Sequence, residues 1–200
     1  MKILSKSQLN EAAEMLSNGG LIAFPTETVF GFGVIFDSKE SYGRLIQVKR
    51  RPPEKPFTLM LSSSDEIEKY AYVDERAKKL IEKYMPGQFT IILKAKNNLP
   101  SYCVSKEGNV GIRISGDKMV RDLIKKVGKP LLVPSANKSG EAPLTTSVDV
   151  SKIFEDEIDA IIEGESTSNV PSTIVLLNEN VNVIREGIIT KEEILKTLGE

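Results

Sequence analysis

The sequence Leu21-Ile22-Ala23-Phe24-Pro25-Thr26-Glu27-Thr28-Val29-Phe30-Gly31-Phe32-Gly33 runs from an apolar segment through a polar turn into a glycine-punctuated aromatic one. Its first four residues read as a short buried strand. Pro25 ends that strand, because proline has no N–H to give a sheet ladder. Two threonines and a carboxylate follow, at a strand end, where open α/β sheets commonly present ligand-binding groups. The same residues also suit a polar turn between two core strands, so the stretch alone leaves both readings open.

Outward from this turn, strands and helices alternate. On the N-terminal side, Ser7 is placed to cap a helix running to about Asn18, with Leu9, Ala12, Ala13 and Leu16 on one face and Gly19-Gly20 ending it. On the C-terminal side, Val34-Ile35-Phe36 and the runs 57–61, 89–93, 110–114, 131–133, 160–162, 174–177 and 181–184 read as strands. Helical spacing joins Tyr42, Leu45, Ile46 and Lys49, and recurs over 65–70, 74–84, 119–127 and 148–154. Asn178-Glu179-Asn180 is a connection short enough for a hairpin. Thr190 and Glu193 form a capping box for a final helix. Alternating βα units plus a hairpin predict one α/β domain over 1–200, with a mixed parallel and antiparallel sheet flanked by helices.

Composition narrows the chemistry. Two hundred residues, 40% hydrophobic and 28% charged, suit a globular domain with a real core. A net charge of −1 creates no global field for nucleic acid, so any such contact needs a local patch. One cysteine, Cys103, cannot form an intrachain disulfide, and the lack of histidine excludes Ser-His-Asp and Cys-His catalysis and histidine-ligated metals. The N-terminus shows no signal-peptide core, and no apolar run approaches the ~20 residues that span a bilayer. A cytoplasmic location without membrane contact is the expectation.

Five further clusters carry candidate chemistry. Lys49-Arg50-Arg51-Pro52-Pro53-Glu54-Lys55-Pro56 sets dense cations between prolines, suiting a triphosphate or carboxylate, or else forms a solvated basic helix end. Arg113 lies inside an apolar strand, where it needs either a carboxylate mate or a ligand. Pro134-Ser135-Ala136-Asn137-Lys138-Ser139-Gly140 follows a strand and can present N–H groups to an anion, or serve as an ordinary turn. Pro171-Ser172-Thr173 opens a strand, and Arg185-Glu186-Gly187 closes one. There is no GxxxxGK[ST] loop, and Phe36 stands where a dinucleotide fingerprint beginning at Gly31 wants glycine.

Taken in order, these clusters resemble the YrdC-like family of threonylcarbamoyl-adenylate synthases over nearly the whole chain. The family's PT-[DE]-TVYGLG turn is similar to residues 25–33, its KxRP segment to Lys49, Arg51 and Pro52, and its strand arginine to Arg113. Its SANxSG turn is similar to 135–140, its PST element to 171–173 and its LRxG element to 184–187. Phe30 stands where tyrosine is usual, Phe32 where leucine is common, and Ser115 where proline is usual. The length resembles that of short members without an added C-terminal domain.

The resemblance implies a twisted mixed sheet with a concave face, and an adenylyl transfer. L-Threonine and bicarbonate combine as a carbamate, which attacks the α-phosphate of ATP and expels pyrophosphate. The product serves tRNA N6-threonylcarbamoyladenosine modification, with tRNA-modification machinery as the receiving partner. Thr28, Arg113 and Ser172 are implied for threonine. Arg51, Lys55, Ser135, Pro143 and Arg185 are implied for ATP, and Lys49 and Asn137 for the reacting centre. Magnesium is expected to ride on the phosphates, with no protein ligand for a metal identified. Two alternatives stand beside this. One is a non-catalytic RNA-binding module, or a weak RNA contact, using Arg44, Lys49, Arg50, Arg51 and Lys55. The other is a carbamoyl-transfer domain of the hydrogenase-maturation type.

Overall fold

The computed structural model describes residues 1–52 and 55–200. Within them, ten strands form one sheet: β1 (Lys2–Leu4), β2 (Ile22–Phe24), β3 (Gly31–Ile35), β4 (Leu59–Leu61), β5 (Phe89–Lys94), β6 (Asn109–Ile114), β7 (Leu131–Leu132), β8 (Ala160–Ile162), β9 (Thr173–Leu177) and β10 (Val181–Arg185). Their spatial order is β1-β8-β2-β3-β7-β4-β6-β5-β9-β10. Four pairs, β1·β8, β2·β8, β4·β6 and β5·β9, are parallel. The other neighbours are antiparallel, including the terminal β9·β10 hairpin. The expected mixed α/β sheet is the one observed.

Seven helices flank it: α1 (Leu9–Ser17), α2 (Lys39–Lys49), α3 (Ile67–Tyr70), α4 (Glu75–Tyr84), α5 (Lys118–Val127), α6 (Ser147–Phe154) and α7 (Lys191–Leu198). Asp74, Asp117 and Thr146 cap α4, α5 and α6 through their side chains, and Thr190 with Glu193 closes the predicted capping box on α7. Ser7 does not cap α1. The N-cap is Gln8, whose Oε1 accepts from the Ser5 N–H, while Ser7 pairs with the Ser5 hydroxyl. The segment expected as one helix over 65–70 splits into a 3₁₀ turn, Ser64–Glu66, and α3. Strand pairing begins at Gly31 and not only at Val34, and β4 is shorter than the predicted 57–61.

Side-chain alternation along the strands decides where a ligand can enter. On one face, Ile112 and Ile114 of β6, Phe89, Ile91 and Leu93 of β5, and Val175 and Leu177 of β9 join a large core with Leu45 of α2, Leu80 of α4, Phe154 of α6 and Ile194 of α7. On the other face, Ile22, Phe24, Met60 and Leu131 pack with Leu16 of α1 and Leu123 of α5. That second layer covers the half of the sheet around β2 and β7. Beyond it, Ile92, Gly111, Ile174 and Leu176 are only partly buried, so β5, β6 and β9 keep one open face. Arg113 and Thr90 occupy this face in period with those residues.

The opening turn is anchored by packing. Phe24, Phe30 and Phe32 are fully buried, and Phe32 meets Phe154 edge to face at 4.9 Å. Each such ring stabilises the fold by roughly 1.5–3 kcal/mol. The ring at position 30 has 0% exposure, so the usual tyrosine hydroxyl would need a buried partner there. Gly33 allows close approach of β2, because a Cβ on it would lie 2.5 Å from the Phe24 ring. No helix among the described residues is long and apolar enough to cross a membrane.

Candidate functional site

The turn 25–30 joins β2 to β3, and its hydroxyls point inward. Thr26 and Thr28 are buried, the latter 1% exposed. Thr26 Oγ1 donates to the Val29 carbonyl at 2.8 Å, accepts from the Thr28 N–H at 3.1 Å and lies 2.9 Å from Thr28 Oγ1. The turn is thus knotted by its own threonines, leaving Glu27 and Thr28 facing β6. There Arg113, 7% exposed, donates through Nη2 to Glu27 Oε1 at 2.7 Å and to Thr28 Oγ1 at 3.0 Å. Its Nε is buried with no partner among the described residues. The carboxylate mate that the sequence allowed for this arginine is Glu27, and Nε is left over.

Glu27 is outside the pocket lining and was not a predicted site residue. Its carboxylate also accepts from Ser115 Oγ at 2.5 Å and the Gly116 N–H at 2.8 Å. Burial alone would raise its pKa. The nearby Arg113 charge and these hydrogen bonds outweigh that and hold it below the usual carboxylate value.

Across the pocket, at the start of β9, Ser172 Oγ lies 2.9 Å from Thr90 Oγ1 of β5 and accepts from Arg185 Nη2 at 3.2 Å. Arg185 Nε donates to the Ser172 carbonyl at 3.0 Å. Burial, then the charge of Arg113, lowers the pKa of Arg185. The tight corner behind it needs Gly187, where a Cβ would sit 2.4 Å from the Pro171 carbonyl oxygen. Thr90 was missed in the sequence. Its signal was a hydroxyl in the middle of the apolar run 89–93.

The third wall comes from α2, the chain before β4 and the turn after β7. Arg50 ends α2 in the left-handed region, at φ 50°, which separates the fates of three successive cations. Lys49 turns inward and is 2% exposed, donating to the Ser135 carbonyl at 2.6 Å and Asn137 Oδ1 at 2.9 Å. Burial, and then the charge of Arg51, hold its pKa down to about 8. Arg50 turns outward onto Glu157 at 2.8 Å. Arg51 folds back toward the pocket, donating to the carbonyls of Lys55 (3.0 Å) and Pro56 (3.3 Å) over the Phe57 ring.

Six predicted residues, Thr28, Arg51, Arg113, Ser135, Ser172 and Arg185, line one pocket of about 140 Å³. Lys49 and Asn137 lie behind Ser135, outside that lining. Asn137 spends its hydrogen bonds inside the protein: Nδ2 donates to the Lys138 and Glu141 carbonyls, and Oδ1 accepts from Lys49 Nζ and Ser135 Oγ. Lys55 and Pro143 are also outside the lining, Lys55 being exposed and Pro143 half-buried. Pro53 and Glu54 of the basic cluster lie outside the described residues. The basic rim expected of an RNA-binding face is largely neutralised: Arg44 pairs with Asp159 at 2.9 Å, Arg50 with Glu157, and Lys49 is buried.

A family model for Sua5, YciO and YrdC, described as telomere recombination, matches residues 14–187. The chain belongs to the Sua5/YciO/YrdC family. It is 33% identical over 193 residues to a Methanocaldococcus jannaschii protein named putative threonylcarbamoyl-AMP synthase, covering 96% of this chain and 91% of that one. The fold superposes on Pyrococcus abyssi Sua5 complexed with L-threonine at a TM-score of 0.94 and 29% identity, covering 100% of this chain and 62% of that one. It superposes on Escherichia coli YciO at 0.87 and 26% identity, covering 94% of this chain and 95% of that one.

Proposed function

We propose that this chain is a single-domain threonylcarbamoyl-AMP synthase, forming threonylcarbamoyl-AMP and pyrophosphate from L-threonine, bicarbonate and ATP for tRNA modification. The observation that carries it is the convergence of Thr28, Arg113 and Ser172 with Arg51, Ser135 and Arg185 in one pocket, in a chain whose relative binds L-threonine in the same fold. The unpartnered Arg113 Nε suits one oxygen of a substrate carboxylate. Ser172 and Thr28 suit the substrate hydroxyl and amine.

The threonine nitrogen bonds to the bicarbonate carbon with loss of water. A carbamate oxygen then attacks the α-phosphorus, and the bond to the β-phosphate oxygen breaks. Such chemistry needs positioning and cation density and no covalent nucleophile. Lys49 fits that need: an ammonium has three N–H donors, two are spent on Ser135 and Asn137, and one remains. Asn137 then acts by holding Lys49, and Arg51 and Arg185 serve the nucleotide, with Lys55 and Pro143 at its outer edge. Magnesium would travel on the phosphates with most of its waters. Glu27 is committed to Arg113 and is a poor metal ligand.

The test is pyrophosphate release from ATP and bicarbonate with each amino acid offered in turn. Turnover with L-threonine supports the reading. ATP hydrolysis indifferent to the amino acid, or turnover only with carbamoyl phosphate, overturns it.

A further inference from the structure

We infer that Glu27 is a positioning residue for threonine capture: held on one side by Ser115 and Gly116, it fixes the Arg113 guanidinium in the orientation that meets the substrate carboxylate. This rests on the proposed reading of Arg113 as the threonine-carboxylate partner.

The geometry is that of a clamp built from three directions. Nη2 of Arg113 is the nitrogen given to Glu27, and Thr28, the next residue in the chain, accepts from the same nitrogen. One terminal nitrogen is therefore pinned twice, while Nε stays buried and unpaired among the described residues. An ion pair serving the fold alone would gain by satisfying that donor, since a buried N–H without a partner carries its full desolvation cost. The opposite edge of the Glu27 carboxylate is closed by Ser115 Oγ and the Gly116 N–H. A Cβ at Gly116 would lie 3.2–3.4 Å from the Glu27 side chain, so that side chain packs closely on the Gly116 backbone. The Glu27 carbonyl is itself held by Gln88 Nε2 at 3.3 Å and Thr167 Oγ1 at 3.1 Å. Arg113 faces a second guanidinium, Arg185, whose pKa its charge depresses. Without the Glu27 carboxylate the two cations would repel and Arg113 would swing away.

Ser115 adds a second hold on the Glu27 carboxylate. Its hydroxyl donates to Glu27 and accepts from the Asp117 N–H at 3.2 Å, neither of which the proline usual at this position could do.

The experiment compares Glu27→Gln, Ser115→Ala and Arg113→Ala by KM for L-threonine, KM for ATP, kcat, calorimetric threonine binding and melting temperature. Glu27→Gln is expected to raise the threonine KM about tenfold while the ATP KM stays within about twofold, with Ser115→Ala moving the same way by about two- to threefold. If Arg113→Ala weakens threonine and Glu27→Gln only lowers the melting temperature, Glu27 is a fold element and the inference falls alone. If Arg113→Ala leaves threonine binding unchanged, the carboxylate assignment of Arg113 falls and the positioning role with it. Should Glu27→Gln fail to fold, Ser115→Ala decides, and an unchanged threonine KM overturns the inference.

Discussion

On the proposed threonine side of the pocket Arg113 meets the Glu27 carboxylate at 2.7 Å; on the proposed nucleotide side Lys49 and Arg51 meet main-chain carbonyls and an amide oxygen among the described residues. The first cation is neutralised by the protein, and its carboxylate partner has a lowered pKa. Lys49 is buried and Arg51 half-buried, neither with a carboxylate partner among the described residues, and both have lowered pKa values through burial. The difference suits what the two proposed ligands demand. An amino acid brings one carboxylate and is bound by direction, which a pinned guanidinium supplies. A triphosphate brings several negative charges and is bound by field, which unneutralised cations supply. A protein that left Arg113 equally unpaired would bind anions without orienting them.

Arg113→Ala tests the contrast most severely. It removes the carboxylate grip and strands Glu27 as a buried charge. Turnover with threonine is expected to fall by roughly 2–4 kcal/mol in transition-state stabilisation. The melting temperature should drop as well, because breaking one member of a buried pair leaves the other uncompensated. Kinetics alongside thermal melting reads both. A further Glu27→Gln change on this background should return part of the lost stability and none of the activity.

Arg51→Ala should behave differently. Turnover is expected to fall by about 1.5–3 kcal/mol, the worth of a charge-assisted contact, with the melting temperature little changed, since the half-buried Arg51 has no carboxylate partner among the described residues and holds only two carbonyls and the Phe57 ring. A marked drop in melting temperature would place Arg51 with Arg113 and break the distinction.

Selectivity sharpens the threonine side. Thr28, Ser172 and Thr90 line the pocket with hydroxyls, and a site that pairs a substrate hydroxyl rejects an analogue lacking it far more strongly than one lacking a methyl. Serine should compete with a penalty of roughly 1–3 kcal/mol, and valine should compete worse. Competition assays that rank valine above serine would remove Thr28 and Ser172 from the threonine pocket.

The mildest test uses pH. Lys49 at about 8 loses its proton as pH rises through that value, so kcat/KM for ATP should decline above pH 8, by up to about tenfold per unit. Bound ATP should move the inflection in kcat upward, because phosphate favours the ammonium. Stability moves the other way. Between about 8 and 10.5 the unfolded chain holds a proton that folded Lys49 has released, so stability increases with pH over that window. Glu27 has the same sign in an acidic window. Glu27 contributes stability above the ordinary carboxylate pKa and loses it as pH falls through its depressed folded value. Denaturation curves at several pH values separate the two.

Much of this was legible beforehand for local reasons. Pro25, Gly128 and the Thr190–Glu193 capping box mark element ends through their own backbone and side-chain chemistry, and the structure puts boundaries there within a residue or two. Ser7 failed because Gln8 competes for the same helix start with a longer side chain that reaches Ser5. The basic cluster 49–56 resisted reading because one left-handed residue, Arg50, sends neighbouring cations in different directions, and side-chain type carries no such information.

The sequence by itself determined the periodicities, and with them the α/β class, the strand-end placement of the candidate turns and the exclusion of histidine chemistry. These follow from interactions within a few residues. Only the tertiary structure decided that Arg113 of β6 meets Glu27, 86 residues away, and that Lys49 is tied to Asn137, 88 residues away. It also decided which half of the sheet stays open. Those outcomes depend on strand order and on where α1 and α5 stop covering the second face. They are set by packing between distant segments, which no local pattern encodes.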